Sequence, residues 1–200
     1  MPASWFDSPA LRRLADVVRL LALASAAAAY FWVDGSSGVR FLVVTAILVA
    51  VRWFGLVTLF DALLCLTAVV STWAAALDWY VTIVWVDEVM HLVAVGVLAA
   101  ACYLPLSRSG ALPGLSALSR GEHRVPVVLM VSMVGFTLAS FWEFIEWIGE
   151  QLSPSTIHVG YDDTISDLAL GGLGAAVAGV LIALSARALV RAQARVSARS

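Results

Sequence analysis

The sequence predicts an all-α membrane protein, a polytopic bundle of about six transmembrane helices with both termini in the cytoplasm. Composition is the main reason. Apolar residues make up 62% of the 200 residues and charged residues only 13%, and the mean hydropathy is +0.93. A soluble domain is typically about half apolar and about one quarter charged. The excess of apolar side chains cannot be hidden in a soluble core of this size, so most of it must face lipid.

Six apolar segments are candidates to cross the bilayer, for which roughly 17–25 residues are needed. They form a single membrane domain, residues 1–200, with spans at about 17–33, 39–52, 55–77, 86–104, 125–148 and 164–184 and a basic tail at 185–200. The second span is short, and its end rests on a break at 52–55. The first segment has the basic start of a signal peptide, but its apolar run continues to Val33 and contains Asp16 and Arg19. We therefore expect a retained helix.

The arginine residues predict the orientation. With the N-terminus inside, eleven of the twelve arginines lie on the inner side and only Arg40 lies outside, whereas ten of the 14 acidic residues lie outside. Cytoplasmic loops of membrane proteins carry an excess of basic residues. We therefore expect a multi-pass protein of the plasma (inner) membrane, with the lipid bilayer as its main partner. The tail arginines recur every four residues and could contact anionic headgroups, although an ordinary positive-inside flank is the simpler interpretation.

Three pairs of polar residues fall where the last three spans approach the outer side. They are Asp87 with His91, Glu143 with Glu146, and Asp163 with Asp167. Residues three or four apart share one face of a helix, so each helix offers two polar side chains. Because successive spans alternate in direction, the three pairs should meet at one membrane depth on the extracytoplasmic side.

Carboxylates and a histidine on adjacent helices suit a divalent metal ion such as Zn, Mn, Fe or Mg. We predict that the metal ligands are Asp87, His91, Glu143 and Asp167. Glu146 or Asp163 is then the catalytic general base, and water is the attacking group because no Ser, Cys or Lys is placed as an obvious nucleophile.

Structural roles compete with these assignments. Asp87, and either Asp162 or Asp163, could cap their helices, and His91 could be a hydrogen-bonded packing residue. The neighbouring Glu88 should be solvated. Carboxylates inside apolar helices are functional candidates by default, which favours a site at Glu143, Glu146 and Asp167. His158, in the outer loop, is a further candidate to cover the site.

The sixth span carries a ridge of small residues, with Gly171, Ala175 and Gly179 in one row and Gly172 and Ala176 in the next. Small residues allow two helices to approach closely in a membrane. We expect the ridge to hold the acidic end of this helix against the fourth and fifth spans. A homo-oligomer interface is the competing use.

The order of these motifs resembles the YjdF-like integral membrane proteins, which are distantly similar to the VanZ-like group. The resemblance covers about Trp85 to Ala178 and rests on Asp87-x-x-x-His91, on Glu143-Phe-Ile-Glu146-Trp147, and on Asp162 to Asp167 followed by Gly-Gly-x-Gly. It implies a membrane fold of about six helices with the family's polar positions at the six residues of the three pairs. VanZ-like proteins are associated with glycopeptide resistance, so the resemblance also implies a role at the cell envelope.

Three functions remain open from the sequence. The first is a metal-dependent hydrolase or transferase acting on a lipid or envelope substrate. The second is a non-catalytic scaffold or sensor with a structural metal. The third is a cation or proton transporter, for which Asp61 is the only acid within a predicted span towards the inner side. We expect Asp61 to pair with an arginine such as Arg52 or to be protonated. No zinc-finger, P-loop or dinucleotide motif is present, so we expect no nucleic-acid binding. Cys65 and Cys102 should be small buried residues.

Overall fold

A computed structural model describes residues 5–83, 85–113, 115, 124–152 and 160–198, and these residues form helices, turns and short connections without strands. His158 and Arg199 lie outside the described residues. The helices are α1 (Pro9–Trp32), α2 (Gly35–Val51), α3 (Thr58–Ala76), α4 (Trp79–Thr82), α5 (Val86–Arg108), α6 (Arg124–Leu152) and α7 (Tyr161–Ser197). Six of them, all except α4, are long and apolar enough to cross a membrane. The predicted fold class, a polytopic helical membrane protein, is confirmed.

Local capping explains where the first helices begin. Ser8 caps α1 by accepting a hydrogen bond from the Leu11 N–H, and Pro9 occupies the first helical turn, where its missing N–H costs nothing. Helix α1 therefore begins several residues before its apolar run. Asp34 caps α2 in the same way through the Ser37 N–H. A 3₁₀ turn at Arg52–Phe54 ends α2, and Gly55 follows with a φ of 60°.

Helix α7 continues through the basic tail to Ser197, a length of 37 residues. At 1.5 Å per residue it is about 55 Å long, well beyond the roughly 30 Å hydrocarbon core of a bilayer. Arg187, Arg191 and Arg195 are exposed along this extension. Its opposite side packs on the inner end of α5, where the Gln193 amide donates to the Leu104 carbonyl oxygen.

The bundle has two helical groups. Helix α1 packs mainly on α2 and α3, and α7 packs mainly on α5 and α6. Contacts between α3 and α5 join the groups. The larger apolar core lies in the second group and includes Val95, Tyr103, Val131 and Leu189. The three helices that carry the polar pairs therefore form one packed unit.

Helix α7 touches its neighbours almost backbone to backbone. A Cβ added at Gly174 would lie 1.9 Å from the Leu92 carbonyl oxygen, and one added at Gly96 would lie 2.8 Å from the Gly174 carbonyl oxygen. A Cβ at Gly135 on α6 would lie 2.2 Å from the Ala175 Cβ. No larger side chain fits at these contacts, and this is how small residues bring membrane helices together.

The two rows of the small-residue ridge have different neighbours. Gly171 lies against Val95 on α5 and Ala139 on α6, and Gly179 lies against Val128 on α6. The first row therefore packs within the bundle. A Cβ at Gly172, in the second row, would meet only a Phe136 ring carbon at 3.5 Å among the described residues.

A buried ion pair joins α1 to α3 near the inner side. The Arg19 guanidinium donates to both carboxylate oxygens of Asp61 and to the Leu48 carbonyl oxygen. Arg52 instead contacts Asp16, at 3.3 Å. The expected Asp61–Arg52 pair is therefore wrong in its partner. Asp61 faces α1 because α1 packs on α3, whereas Arg52 belongs to the turn after α2.

Candidate metal centre

The centre of the site is a contact between α5 and α7. Nδ1 of His91 lies 2.7 Å from Oδ1 of Asp167, and the two side chains are 10% and 3% exposed. These helices are also in backbone contact where Leu92, the residue after His91, meets Gly174, about two helical turns after Asp167. A carboxylate and an imidazole therefore face each other in a dry site, where an isolated charge would be costly.

Two atoms of this pair lack a hydrogen-bond partner among the described residues. They are Oδ2 of Asp167 and Nδ1 of His91. The His91 ring is close enough to Asp167 for an ion pair, but its N–H is not aligned with the carboxylate oxygen. Buried polar atoms in proteins nearly always have a partner. The two atoms are therefore available to a further partner.

His91 belongs to two groups of potential metal ligands. One group contains Asp87, His91 and Asp167, and the other contains His91, Glu143 and Glu146; within each group the ligand atoms lie within 4.8 Å of one another. Two ligands of one zinc ion, each about 2.0–2.2 Å from it, are at most about 4.4 Å apart. Small side-chain movements would let either group hold an ion. The four predicted metal ligands and Glu146 thus fall into two groups that share His91.

Helix α6 supplies the two glutamates from one face. Glu143 is buried, and the Thr164 side chain of α7 is hydrogen-bonded to its carboxylate. Glu146 is half-buried, and Nε1 of Trp142 donates to its Oε1 at 2.7 Å. Both glutamates are thus oriented by a neighbouring side chain, as ligands and bases in preorganised sites are.

Asp163 occupies a different environment from Asp167. It is exposed and belongs to neither ligand group. Its carboxylate accepts a hydrogen bond from the backbone of Gly160, the residue that caps α7, which is half of a capping box. Glu88 and Asp162 are also exposed. The structure thus gives Asp163 a capping role, and its role as a base stays a prediction.

Tyr80, on the short helix α4, approaches the site from outside the spans. Its hydroxyl lies 2.9 Å from the Ser71 hydroxyl, and burial raises the pKa of the phenol. Asp87 and Glu146 are close enough to act on it electrostatically. The sequence analysis did not single out Tyr80 or Thr164. The position of Thr164 beside Asp163 was a usable signal, whereas nothing in the sequence around Tyr80 indicates that α4 folds towards α5.

The six-helix bundle and its buried end define an integral membrane protein with a carboxylate–histidine cluster. A family described as "Predicted membrane protein (DUF2238)" matches residues 11–188. The chain belongs to this family. No curated protein and no solved structure matches it. The match supports the membrane family expected from the motifs, and the finer likeness to YjdF-like and VanZ-like proteins stays a prediction.

Proposed function

We propose that the cluster binds one divalent metal ion and that the protein is a metal-dependent hydrolase or transferase. It acts on a lipid or envelope substrate at the extracytoplasmic side of the plasma (inner) membrane. The observation that carries the proposal is the buried carboxylate of Asp167, whose Oδ1 contacts His91 and whose Oδ2 has no hydrogen-bond partner among the described residues. Four carboxylates and one histidine in a buried site need a cation, and a metal ion satisfies several of them at once.

The four ligands are Asp87, His91, Glu143 and Asp167. Mixed nitrogen and oxygen donors are compatible with Zn, Mn, Fe or Mg. A bound divalent ion supplies Lewis-acid polarisation of a phosphoryl or carbonyl oxygen and acidifies bound water. The hydrogen bond from Thr164 fixes the orientation of Glu143, so this ligand is positioned from a second helix.

Glu146 is the general base. It lies beside His91 and Glu143 but is less buried than Glu143, so a water molecule can reach it. It takes the proton of the attacking water while the water oxygen bonds to the phosphorus or carbonyl carbon, and the leaving group departs with a proton returned from the site. The hydrogen bond from Trp142 leaves the second oxygen of Glu146 available for this step.

The location favours a lipid or envelope substrate. The cluster lies at one end of three membrane-spanning helices, on the side opposite to the arginines. A membrane substrate therefore reaches it at the bilayer surface. The transporter alternative relied on Asp61 towards the inner side, and this carboxylate is ion-paired with Arg19.

The first experiment measures bound metal. We expect near-stoichiometric metal by mass spectrometry in protein purified without chelators, and none in the Asp87→Ala/Asp167→Ala protein. The control is Glu88→Gln/Asp162→Asn, which changes two exposed acids in the first turns of α5 and α7 and should keep the metal. Absence of metal from the wild type after loading with Mg, Mn, Fe and Zn in turn overturns the proposal.

The second experiment separates an enzyme from a scaffold. Wild-type protein and Glu146→Gln are incubated with phospholipids and with extracted envelope lipids, and products are measured by mass spectrometry. An enzyme loses turnover in Glu146→Gln while its metal content is retained. A wild type that binds metal, loses thermal stability with chelator and turns over no lipid is a scaffold or sensor with a structural metal.

A further inference from the structure

The end of α7 opposite the carboxylate–histidine cluster carries three exposed arginines, Arg187, Arg191 and Arg195, which we call the basic stripe. Residues 185–200 contain no acidic residue. The ion pairs among the described residues do not involve Arg191 or Arg195. The positive charge of this surface therefore has no acidic counterpart on the same part of the helix.

The basic stripe continues the lipid-facing side of α7. An α-helix turns by about 100° per residue, so residues seven or eleven apart lie within about 20° of one line along the helix. Leu184 is seven residues before Arg191 and eleven before Arg195, and Val177 is seven residues before Leu184. Val177 and Leu184 are 50% and 64% exposed in the apolar part of the helix. The face that meets hydrocarbon thus becomes basic towards the end of the helix.

Packing on the other sides of the helix fixes the direction of the basic stripe. Leu189 and Ala192 are fully buried in the larger apolar core. The Gln193 amide donates to the Leu104 carbonyl oxygen of α5, and the Val196 side chain lies against Gly55 in the turn after α2. The helix is therefore held against the bundle to its last turns, and the stripe stays on the outside.

The basic stripe begins at the level where a spanning helix meets lipid headgroups. Leu184 is the last large apolar residue exposed on α7. Arg187 lies about 4.5 Å beyond it along the axis and Arg191 about 10 Å, whereas the headgroup layer on each side of a bilayer is about 5–7 Å thick. Arg187 falls within this layer, and the long side chain of Arg191 can bend back to the phosphates. Arg195, about 6 Å further, is within the roughly 8 Å over which charges interact at physiological salt.

We infer that the basic stripe binds phospholipids with a net negative headgroup in the leaflet opposite the cluster. Charge complementarity and the position beside the bilayer both select this partner. Arginine strengthens the choice, since a planar guanidinium donates two parallel hydrogen bonds to one phosphate. The inference goes beyond the proposed function and does not depend on a metal or on turnover.

The test measures lipid binding by native mass spectrometry. Detergent-solubilised wild type is titrated with phosphatidylglycerol, which is anionic, and with phosphatidylcholine, which has no net charge. A juxtamembrane arginine contributes about five-fold to binding of an anionic surface. We therefore expect Arg191→Gln/Arg195→Gln to weaken phosphatidylglycerol binding at least about five-fold and to leave phosphatidylcholine binding unchanged. Arg187 is retained because it has an interaction of its own within the protein.

Two further variants serve as controls. Arg191→Lys/Arg195→Lys keeps the charge and should retain most of the preference for phosphatidylglycerol. Arg12→Gln/Arg13→Gln removes the same charge from the start of α1, where Asp16 follows within one turn, and should have a much smaller effect. Unfolding temperatures in detergent alone should be equal for wild type and Arg191→Gln/Arg195→Gln, because both arginines are exposed.

The outcomes separate this inference from the proposed function. A wild type without preference for phosphatidylglycerol, or a preference that survives Arg191→Gln/Arg195→Gln, overturns the inference. An equal loss in Arg12→Gln/Arg13→Gln also overturns it, because the arginines then act only as a diffuse positive flank. Metal content should be the same in all these variants, so either proposal can fail while the other stands.

Discussion

The Arg19 guanidinium contacts both carboxylate oxygens of Asp61 in a buried position between α1 and α3. The two side chains are 8% and 4% exposed. Asp16 also lies near Arg19, at 3.5 Å, but it is 49% exposed. The same arginine thus has one buried and one exposed acidic partner.

This difference predicts unequal costs of removing the two acids. Asp61→Ala leaves a buried guanidinium without its partner and should cost about 3–5 kcal/mol of stability on the scale of soluble proteins. Asp16→Asn should cost at most about 1 kcal/mol, since exposed ion pairs contribute little. Thermal unfolding in one detergent measures both. Similar losses in the two variants would contradict a buried pair, and Arg19→Met/Asp61→Leu should recover much of the stability lost in Asp61→Ala.

The contact between α5 and α7 predicts that Gly174 tolerates no side chain. Gly174→Ala places a Cβ 1.9 Å from the Leu92 carbonyl oxygen, so the helices must separate. Overpacking typically costs about 1–3 kcal/mol, and we expect bound metal to fall with it because His91 and Asp167 move apart. The measurements are the unfolding temperature and the metal content. Gly172→Ala is the matched control, and equal behaviour of the two variants would rule out the close contact.

The hydrogen bond between Thr164 and Glu143 predicts an effect on metal affinity. Thr164→Val removes the hydroxyl that orients the Glu143 carboxylate, and loss of such a partner typically weakens metal binding about 10–100-fold. Ser166→Ala on the same helix is the control, because its hydroxyl donates to the Asp163 carbonyl oxygen within α7. Competition with a fluorescent chelator gives the Kd values. An unchanged Kd in Thr164→Val would show that the hydroxyl has no part in ligand positioning.

The hydrogen-bonded carboxylate of Asp34, in the connection between α1 and α2, should make the stability of the protein depend on pH. The Ser36 hydroxyl, followed by the hydroxyl and N–H of Ser37, holds the pKa of its carboxyl well below the usual range. A lowered pKa stabilises the folded protein above the unfolded pKa of about 3.9, and this contribution is lost as the pH falls further. The difference in unfolding temperature between wild type and Asp34→Asn should therefore be constant from pH 7 to 5 and shrink below pH 4. A difference that does not change with pH would contradict the charged cap.

The fold class was predictable because few backbone conformations are stable in a lipid bilayer. Backbone polar groups in a bilayer must be satisfied within the chain, so long apolar segments become helices. The spacing of the three polar pairs predicted which residues share a helical face, and five of the six belong to the two ligand groups that share His91. Asp163 shows the limit of this reasoning. Asp163 is four residues from Asp167, just as Asp87 is four residues from His91. However, Asp163 lies in the first turn of α7, where its carboxylate accepts a hydrogen bond from the backbone of Gly160.

Which side chains pair with one another was harder to predict than the fold class or the helical faces. Arg52 is the arginine nearest to Asp61 in sequence, yet Arg19 is its partner because α1 packs on α3. In the same way, the contact between His91 and Asp167 depends on the meeting of Leu92 with Gly174. Helical spacing assigns residues to faces, but it does not say which faces of distant helices meet.

The contact of Gly174 with Leu92 affects which positions of the protein can change during evolution. The main chains of α5 and α7 touch at Leu92 and Gly174, close to His91 in the chain, and this contact limits how far His91 and Asp167 can separate. Substitutions at the lipid-exposed positions of α5 and α7, such as Val93 and Leu173, can accumulate without altering that separation. The lipid-facing surface can therefore adapt to bilayers of different composition while the geometry of the cluster stays the same.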